Sequence, residues 1–195
     1  MSWKKKEEVL GYYKRIADAN LGDEKYAEAY DELVKKYRKE GNTEMFTKYL
    51  DKAKKHFGSD PYWEAVGIEY AIKGLENEEL FKKYEELLVT YPNNYMVYFN
   101  YGHDLDKYVY SADSKGKDVS VYKTKIPELY KKAISIKSSI DANVLLANYY
   151  NNSSFDHIDE AQKIKGTKPE DVKKKSDLMT SSKTTLSQAI PYGEE

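Results

Sequence analysis

The residues with the capacity for acid–base work gather at one place, His103, Asp104 and Asp106. An imidazole beside a carboxylate is the elementary general acid–base pair, and a hydrolase-like site around His103 would use it to activate water. His103 directly follows Gly102 in a helical pattern, so the plainer reading is a solvated helix face, and the sequence favours it. The other histidines, His56 and His157, are distant in sequence and give no local metal pair. Asp113-Ser114-Lys115-Gly116-Lys117-Asp118 has the outline of a calcium loop. It puts Lys115 where a ligand oxygen belongs and Tyr122 where the bidentate carboxylate belongs, so calcium is not expected. The chain has 0 cysteines, which removes disulfides, thiolate zinc sites, iron–sulfur clusters and a cysteine nucleophile. There is no glycine-rich phosphate loop and no H-E-x-x-H. No catalytic residue, metal or cofactor is expected, and the chain reads as a non-enzyme.

Charge points the same way. Lys+Arg is 32 and Asp+Glu is 33, a net charge of −1 over 195 residues. A general nucleic-acid binder would carry an excess of positive charge. Lys4-Lys5-Lys6 and Lys173-Lys174-Lys175 both have acids close by and read as solvated faces. Arg15 and Arg38 are the only arginines, which weakens any case for directed phosphate or base readout. No nucleic-acid partner is expected. No run of about 18 apolar residues exists, so no membrane span is expected either. Met1 through Glu8 carries positive charge with no apolar stretch behind it and is not read as a signal peptide. The compartment is cytoplasmic, or exported where a signal has been removed.

The elements that must position these residues are helical. Hydrophobic residues make up 40% and charged residues 33%, with mean hydropathy −0.84, so the core is thin and the solvated face large. The chain has 20 Tyr against 5 Phe, a choice that suits half-buried layers, because tyrosine is an apolar body with a polar tip. With 10 Gly and 5 Pro, a loop-rich β fold is not expected.

Self-similarity organises the helices. Leu50, Ala53 and Gly58 recur 34 residues later as Tyr84, Leu87 and Pro92. They recur again 46 residues on as Tyr130, Ala133 and Ser138, and Leu186 and Ala189 close the series. Tyr30, Leu33, Val34 and Tyr37 share one helical face, and their counterparts are Tyr98, Tyr101, Gly102 and Leu105. In the intermediate copy, Trp63 and Tyr70 indicate a one-residue slip. The expected organisation is a leading helix at 3–20 carrying Val9, Tyr12, Tyr13 and Ile16, then units at 27–60, 61–94, 95–140 and 141–195. Residues 111–118 are expected as an exposed loop. Thr167 is expected to cap a helix that opens with Pro169, Glu170 and Asp171, giving two long helices at about 141–165 and 168–190.

The run Pro92-Asn93-Asn94-Tyr95-Met96-Val97-Tyr98-Phe99-Asn100-Tyr101-Gly102, together with Gly41, Phe46, Leu50, Ala53 and Gly58, resembles the tetratricopeptide repeat, a 34-residue helix–turn–helix unit. The resemblance covers most of the chain from about Tyr26, and the elongated last units look like some bacterial members of the family. It departs from the family in the inserted segments, and at Gly58 and Ser138, where the family favours proline. It implies an all-α fold over residues 1–195. That fold is a right-handed superhelical array of antiparallel helix pairs, an α-solenoid of three to four repeats, with first helices lining a concave groove.

Carried over by that resemblance, the groove residues are Asp31, Lys35, Arg38, Tyr62, Glu69, Met96, Phe99, His103, Asp106 and Tyr149. Glu28, Ala65, Ile72, Tyr110, Leu145 and Asn152 lie beside them in the pattern. The implied function is a protein-binding scaffold that takes a peptide or partner helix. Packing against a neighbouring unit is the competing reading for Met96 and Phe99, and the favoured one for Tyr149. One subtype of the family clamps a C-terminal carboxylate with Lys and Asn. The matching positions here are Asp31, Lys35, Val66, Met96 and Asn100, so that clamp is missing. The alternative is a structural protein that self-associates as a homo-oligomer through an open apolar end near Ala189 and Ile190.

Overall fold

Apolar residues three and four apart, with few β-branched runs and a breaker between stretches, commit this sequence to helices. The computed structural model describes residues 3–193, and every regular element among them is helical. Met1, Ser2, Glu194 and Glu195 lie outside the described residues, as do the side chains of Trp3 and of Lys4 in the first lysine run. The chain divides into two compact units, Met1–Leu75 and Glu76–Glu195. The division falls inside the expected repeat 61–94, between its two helices.

The first unit contains α1 (Trp3–Asp18), a 3-10 turn (Glu24–Tyr26), α2 (Ala27–Glu40), α3 (Thr43–Phe57) and α4 (Tyr62–Ile72). Helix α2 stops at Gly41, whose φ of 68° is left-handed, and Asn42 restarts the chain by accepting from the Met45 N–H at 3.0 Å. A connection this short folds α2 and α3 into an antiparallel hairpin. Tyr30, Leu33 and Val34 of α2 bury against Phe46, Tyr49, Leu50, Ala53 and Phe57 of α3, and Trp63 and Val66 of α4 close the same core. With Tyr70 packed against that core, α4 uses positions 63, 66 and 70, the slipped register. Helix α1 offers Tyr13, Ile16 and Ala17. Tyr12, expected on that face, is instead 61% exposed with the Arg15 guanidinium 4.4 Å from its ring centre. The Tyr13–Ile16–Ala17 stripe is complete without it, and a cation over the ring suits the solvated side.

The second unit contains α5 (Asn77–Thr90), α6 (Tyr95–Val109), a 3-10 turn (Ala112–Ser114), α7 (Ser120–Ile136), α8 (Ile140–Lys163), α9 (Pro169–Ser187) and a closing turn α10 (Ile190–Gly193). Asn94 caps α6 by accepting from the Met96 N–H at 3.0 Å. Gly102 lets α6 approach α7, since a Cβ there would sit 3.1 Å from the Tyr130 ring. The two long helices match the expected pair.

Two local expectations are corrected. Thr167 does not cap α9; Lys168 takes that place in extended backbone, because Pro169 at the first helical position keeps its predecessor out of helical geometry. The 111–118 segment is not wholly exposed. Ser114 is buried and donates to the carbonyls of Val109 and Ser111 at 2.8 and 3.0 Å.

Candidate functional site

In the first unit the five expected residues come together along the seam between α2 and α4. Asp31, Lys35 and Arg38 project from α2, and Tyr62 and Glu69 from α4. The Tyr62 hydroxyl donates to Asp31, and Lys35 Nζ lies 2.5 Å from the same carboxylate. Arg38 Nη1 pairs with Glu69 Oε2 at 3.0 Å. Burial first, and the Asp31 carboxylate second, hold the Tyr62 phenol well above the ordinary tyrosine value, so it stays a donor at any physiological pH.

An open cleft of about 450 Å³ adjoins this seam. Its lining includes Gly22, Glu24, Glu28, Asp31, His56, Phe57, Asp60, Tyr62 and Trp63. The turn after α1 brings Gly22 against the last turn of α3. A Cβ added to Gly22 would lie 2.2 Å from His56 Nδ1, so only glycine admits the imidazole there without a shift. The other ring nitrogen, His56 Nε2, is out of solvent and has no hydrogen-bond partner among the described residues. Phe57 and Trp63 are stacked with centroids 6.2 Å apart, and the Tyr62 ring meets Trp63 edge-on at 5.1 Å.

In the second unit the expected residues separate. Met96 is 44% exposed on α6. Phe99 is half-buried, stacked on Tyr95 at 5.4 Å and on His103 at 6.4 Å, with Tyr130 edge-on at 6.4 Å. It is therefore a packing residue with one edge showing. Tyr149 is buried, and its hydroxyl donates to the Lys123 carbonyl, so it belongs to the interior and not to an open surface.

Asp104 accepts the buried Tyr84 hydroxyl at 2.7 Å, which occupies it in packing. Asp106 lies deeper. Its Oδ1 is out of solvent without a partner among the described residues, and burial pushes its carboxyl up to about 6. The Tyr130 hydroxyl, equally buried, is also without a partner among them. Tyr110, a neighbour in the pattern, reaches Asp156 at 3.3 Å, and that carboxylate also takes Lys123 at 2.6 Å.

Glu28, Asp31 and Tyr62 were thus indicated by the sequence, whereas Gly22, His56, Asp60 and Trp63 as cleft residues were not. Leu21-Gly22-Asp23 reads as a turn, and nothing in it announces which side chain arrives from α3. Among the described residues, no group of three or more His, Cys, Asp or Glu is arranged to hold a metal ion. No helix among them is long and apolar enough to cross a membrane. The chain matches no protein-family model, no curated protein and no solved structure.

Proposed function

We propose that this chain is a non-enzymatic, tetratricopeptide-like solenoid that binds a peptide or partner helix on the face where the first helices of successive repeats meet. The observation that carries the reading is the cleft beside the α2–α4 seam, open, about 450 Å³ and walled by aromatic and polar groups. Binding sites for small or extended ligands have this character, mostly preformed and concave with a few placed polar groups. The α2–α3 hairpin and the side-chain bridges from α2 to α4 are what a repeat with adjacent first helices requires. Of the two acids an enzyme reading around His103 would use, Asp104 is taken up by the Tyr84 hydroxyl.

The test is selection of displayed random peptides against the full chain. Enriched sequences that bind saturably and weaken about fivefold or more in Tyr62→Ala or Met96→Ala support the reading, since an aromatic anchor is worth about 1–2 kcal/mol. No enrichment, or binding indifferent to both variants, overturns it.

A second reading has its own observation. Val172, Met179 and Leu186 of α9 recur every seven residues and are 58%, 39% and 47% exposed, followed by Ile190 at 56%. Such a stripe favours self-association as a homo-oligomer. A concentration-independent monomer mass in light scattering removes it.

A further inference from the structure

We propose that one side of the α8–α9 hairpin is the face through which two copies of this chain pair. The inference goes beyond the peptide-binding reading and rests on the self-association reading, for which it names the surface.

Hydrogen bonds fix the geometry of the hairpin. The Ser154 hydroxyl of α8 donates to the Ser182 carbonyl of α9 at 3.0 Å, and the two hydroxyls lie 2.9 Å apart. These residues therefore mark the facing sides of the two helices. The Tyr149 hydroxyl reaches the Lys123 carbonyl, so Tyr149 marks the side of α8 turned to α7. At about 100° per residue, Ile140, Val144 and Phe155 fall on the side of α8 turned away from α7. Val172, Met179 and Leu186 lie within about a quarter turn of Ser182 on α9. Because α9 runs back along α8, that turn carries them to the side where Phe155 stands. Burial agrees with this placement. Ala142, Leu146 and Tyr149 are buried, whereas Ile140, Val144, Phe155, Val172, Met179 and Leu186 are all exposed.

The breadth of the face decides what covers it. These apolar side chains form two rows, one on each helix, and a single peptide or helix would cover only one. Each leaves roughly 100 Å² open, about 600 Å² together, the upper end for the largest apolar patch of a monomer. With the polar residues among them (Asn148, Asn151 and Lys183) the face approaches the ~800 Å² that each partner brings to a stable dimer. The same hairpin, turned over by a two-fold axis, presents two rows of matching width and closes a layer of four helices. The seven-residue spacing of Val172, Met179 and Leu186 is the spacing with which helices of two chains pack at a shallow angle.

Charge separates a protein partner from a lipid surface. Lys183 stands within the α9 row, between Met179 and Leu186, and the exposed Asp159 lies one turn beyond Phe155 on α8. Asp171 and Asp177 flank Lys173, Lys174 and Lys175 along α9. A face carrying both signs lets a copy set unlike charges together, whereas an anionic bilayer selects one sign.

The test is light scattering and sedimentation of the full chain from about 1 to 500 µM. The expected mass climbs from 22.7 kDa toward twice that value. Phe155→Ser with Met179→Ser, two exposed positions, leaves the helices intact by circular dichroism and weakens pairing about tenfold or more. Val89→Ser, at an exposed apolar residue of α5, leaves pairing unchanged. A mass fixed at 22.7 kDa overturns self-association and this face with it. Doubling that survives the double variant, or that is lost equally in Val89→Ser, overturns the face and leaves self-association standing. Phosphatidylserine vesicles run alongside. A chain that stays a monomer in solution, sediments with the vesicles and loses them in the double variant assigns the face to lipid and overturns pairing.

Discussion

Tyrosine meets carboxylate in both units, but at different depths. In Met1–Leu75 Tyr62 meets Asp31 beside an open cleft, near water, and the buried Tyr49 reaches out to Asp18, whose side chain is 41% exposed. In Glu76–Glu195 the buried Tyr101 likewise reaches out to Glu85, whose side chain is 47% exposed, while Tyr84 and Asp104 pair further in. Tyr84 donates to Asp104 and Tyr101 to Glu85 at 2.7 and 2.6 Å, both phenols being buried and held far above their ordinary value by burial and then by those acids. Deeper still, Asp106 Oδ1 and the Tyr130 hydroxyl are buried with no partner among the described residues. A polar tip at a rim is available to a ligand and costs little. The same tip in an interior is either satisfied or a charge on stability.

The largest test of that contrast is Asp106→Asn. Its carboxyl is raised from 3.8 to about 6 by burial, so the native state disfavours the ionised form. The penalty is fully present above about pH 6, shrinks as pH falls, and is gone below 3.8. A shift of this size corresponds to roughly 3 kcal/mol, and the amide that replaces the acid is itself unsatisfied, so a gain of roughly 2 kcal/mol at pH 8 is expected. Urea denaturation of wild type and variant at pH 8 and pH 5 checks it. The advantage of the variant should fall by about 1.4 kcal/mol between the two. An advantage that holds constant with pH breaks the account of Asp106 as a buried ionised acid.

Tyr84→Phe comes next. It removes the only described donor to a half-buried Asp104 and leaves that carboxylate short of a partner, for an expected loss of about 1.5 kcal/mol in the same denaturation assay. A loss below about 0.3 kcal/mol would show that Asp104 is solvated well enough to dispense with it.

How much of this was readable in the sequence follows from the range of each interaction. Helix faces were, because periodicity is local: Tyr30, Leu33 and Val34, or Phe46, Leu50 and Ala53, declare their stripe by spacing alone. Gly102 was also readable as a packing glycine, since a small residue within an aromatic stripe has few other uses. Tyr12 was misplaced because one turn of α1 offers Tyr12 and Tyr13 with equal apolarity, and the choice between them is made by what α2 and α3 present. The cleft was half readable. Asp31 and Tyr62 follow from repeat register, while Gly22 and His56 meet only through the turn between α1 and α2, whose path no local pattern encodes. Depth was the least readable quantity. His103, Asp104 and Asp106 look alike as a polar run, yet they end as a ring stacked on Phe99, an acceptor for Tyr84 and a buried acid without a partner among the described residues.

The smallest effects sharpen the comparison most, because they use one substitution in two places. Tyr130→Phe deletes a hydroxyl that is buried and unpaired, while the ring keeps its edge-on contact with Phe99. Removing an unsatisfied polar atom without opening a cavity is neutral or stabilising, by up to about 1 kcal/mol. Tyr62→Phe deletes a hydroxyl that has a partner, on a side chain that is 39% exposed. Water replaces the lost bond at that rim, so the expected cost is within about 0.5 kcal/mol. The expected order is a small cost for the paired hydroxyl at the rim, where water can replace its partner, and no cost or a gain for the unpaired one in the interior, where water cannot. Thermal denaturation of both variants at one pH decides it. A destabilised Tyr130→Phe would mean that its hydroxyl has a partner in solution, and the buried tyrosine–carboxylate cluster of the second unit would then be a satisfied network like the rim of the first.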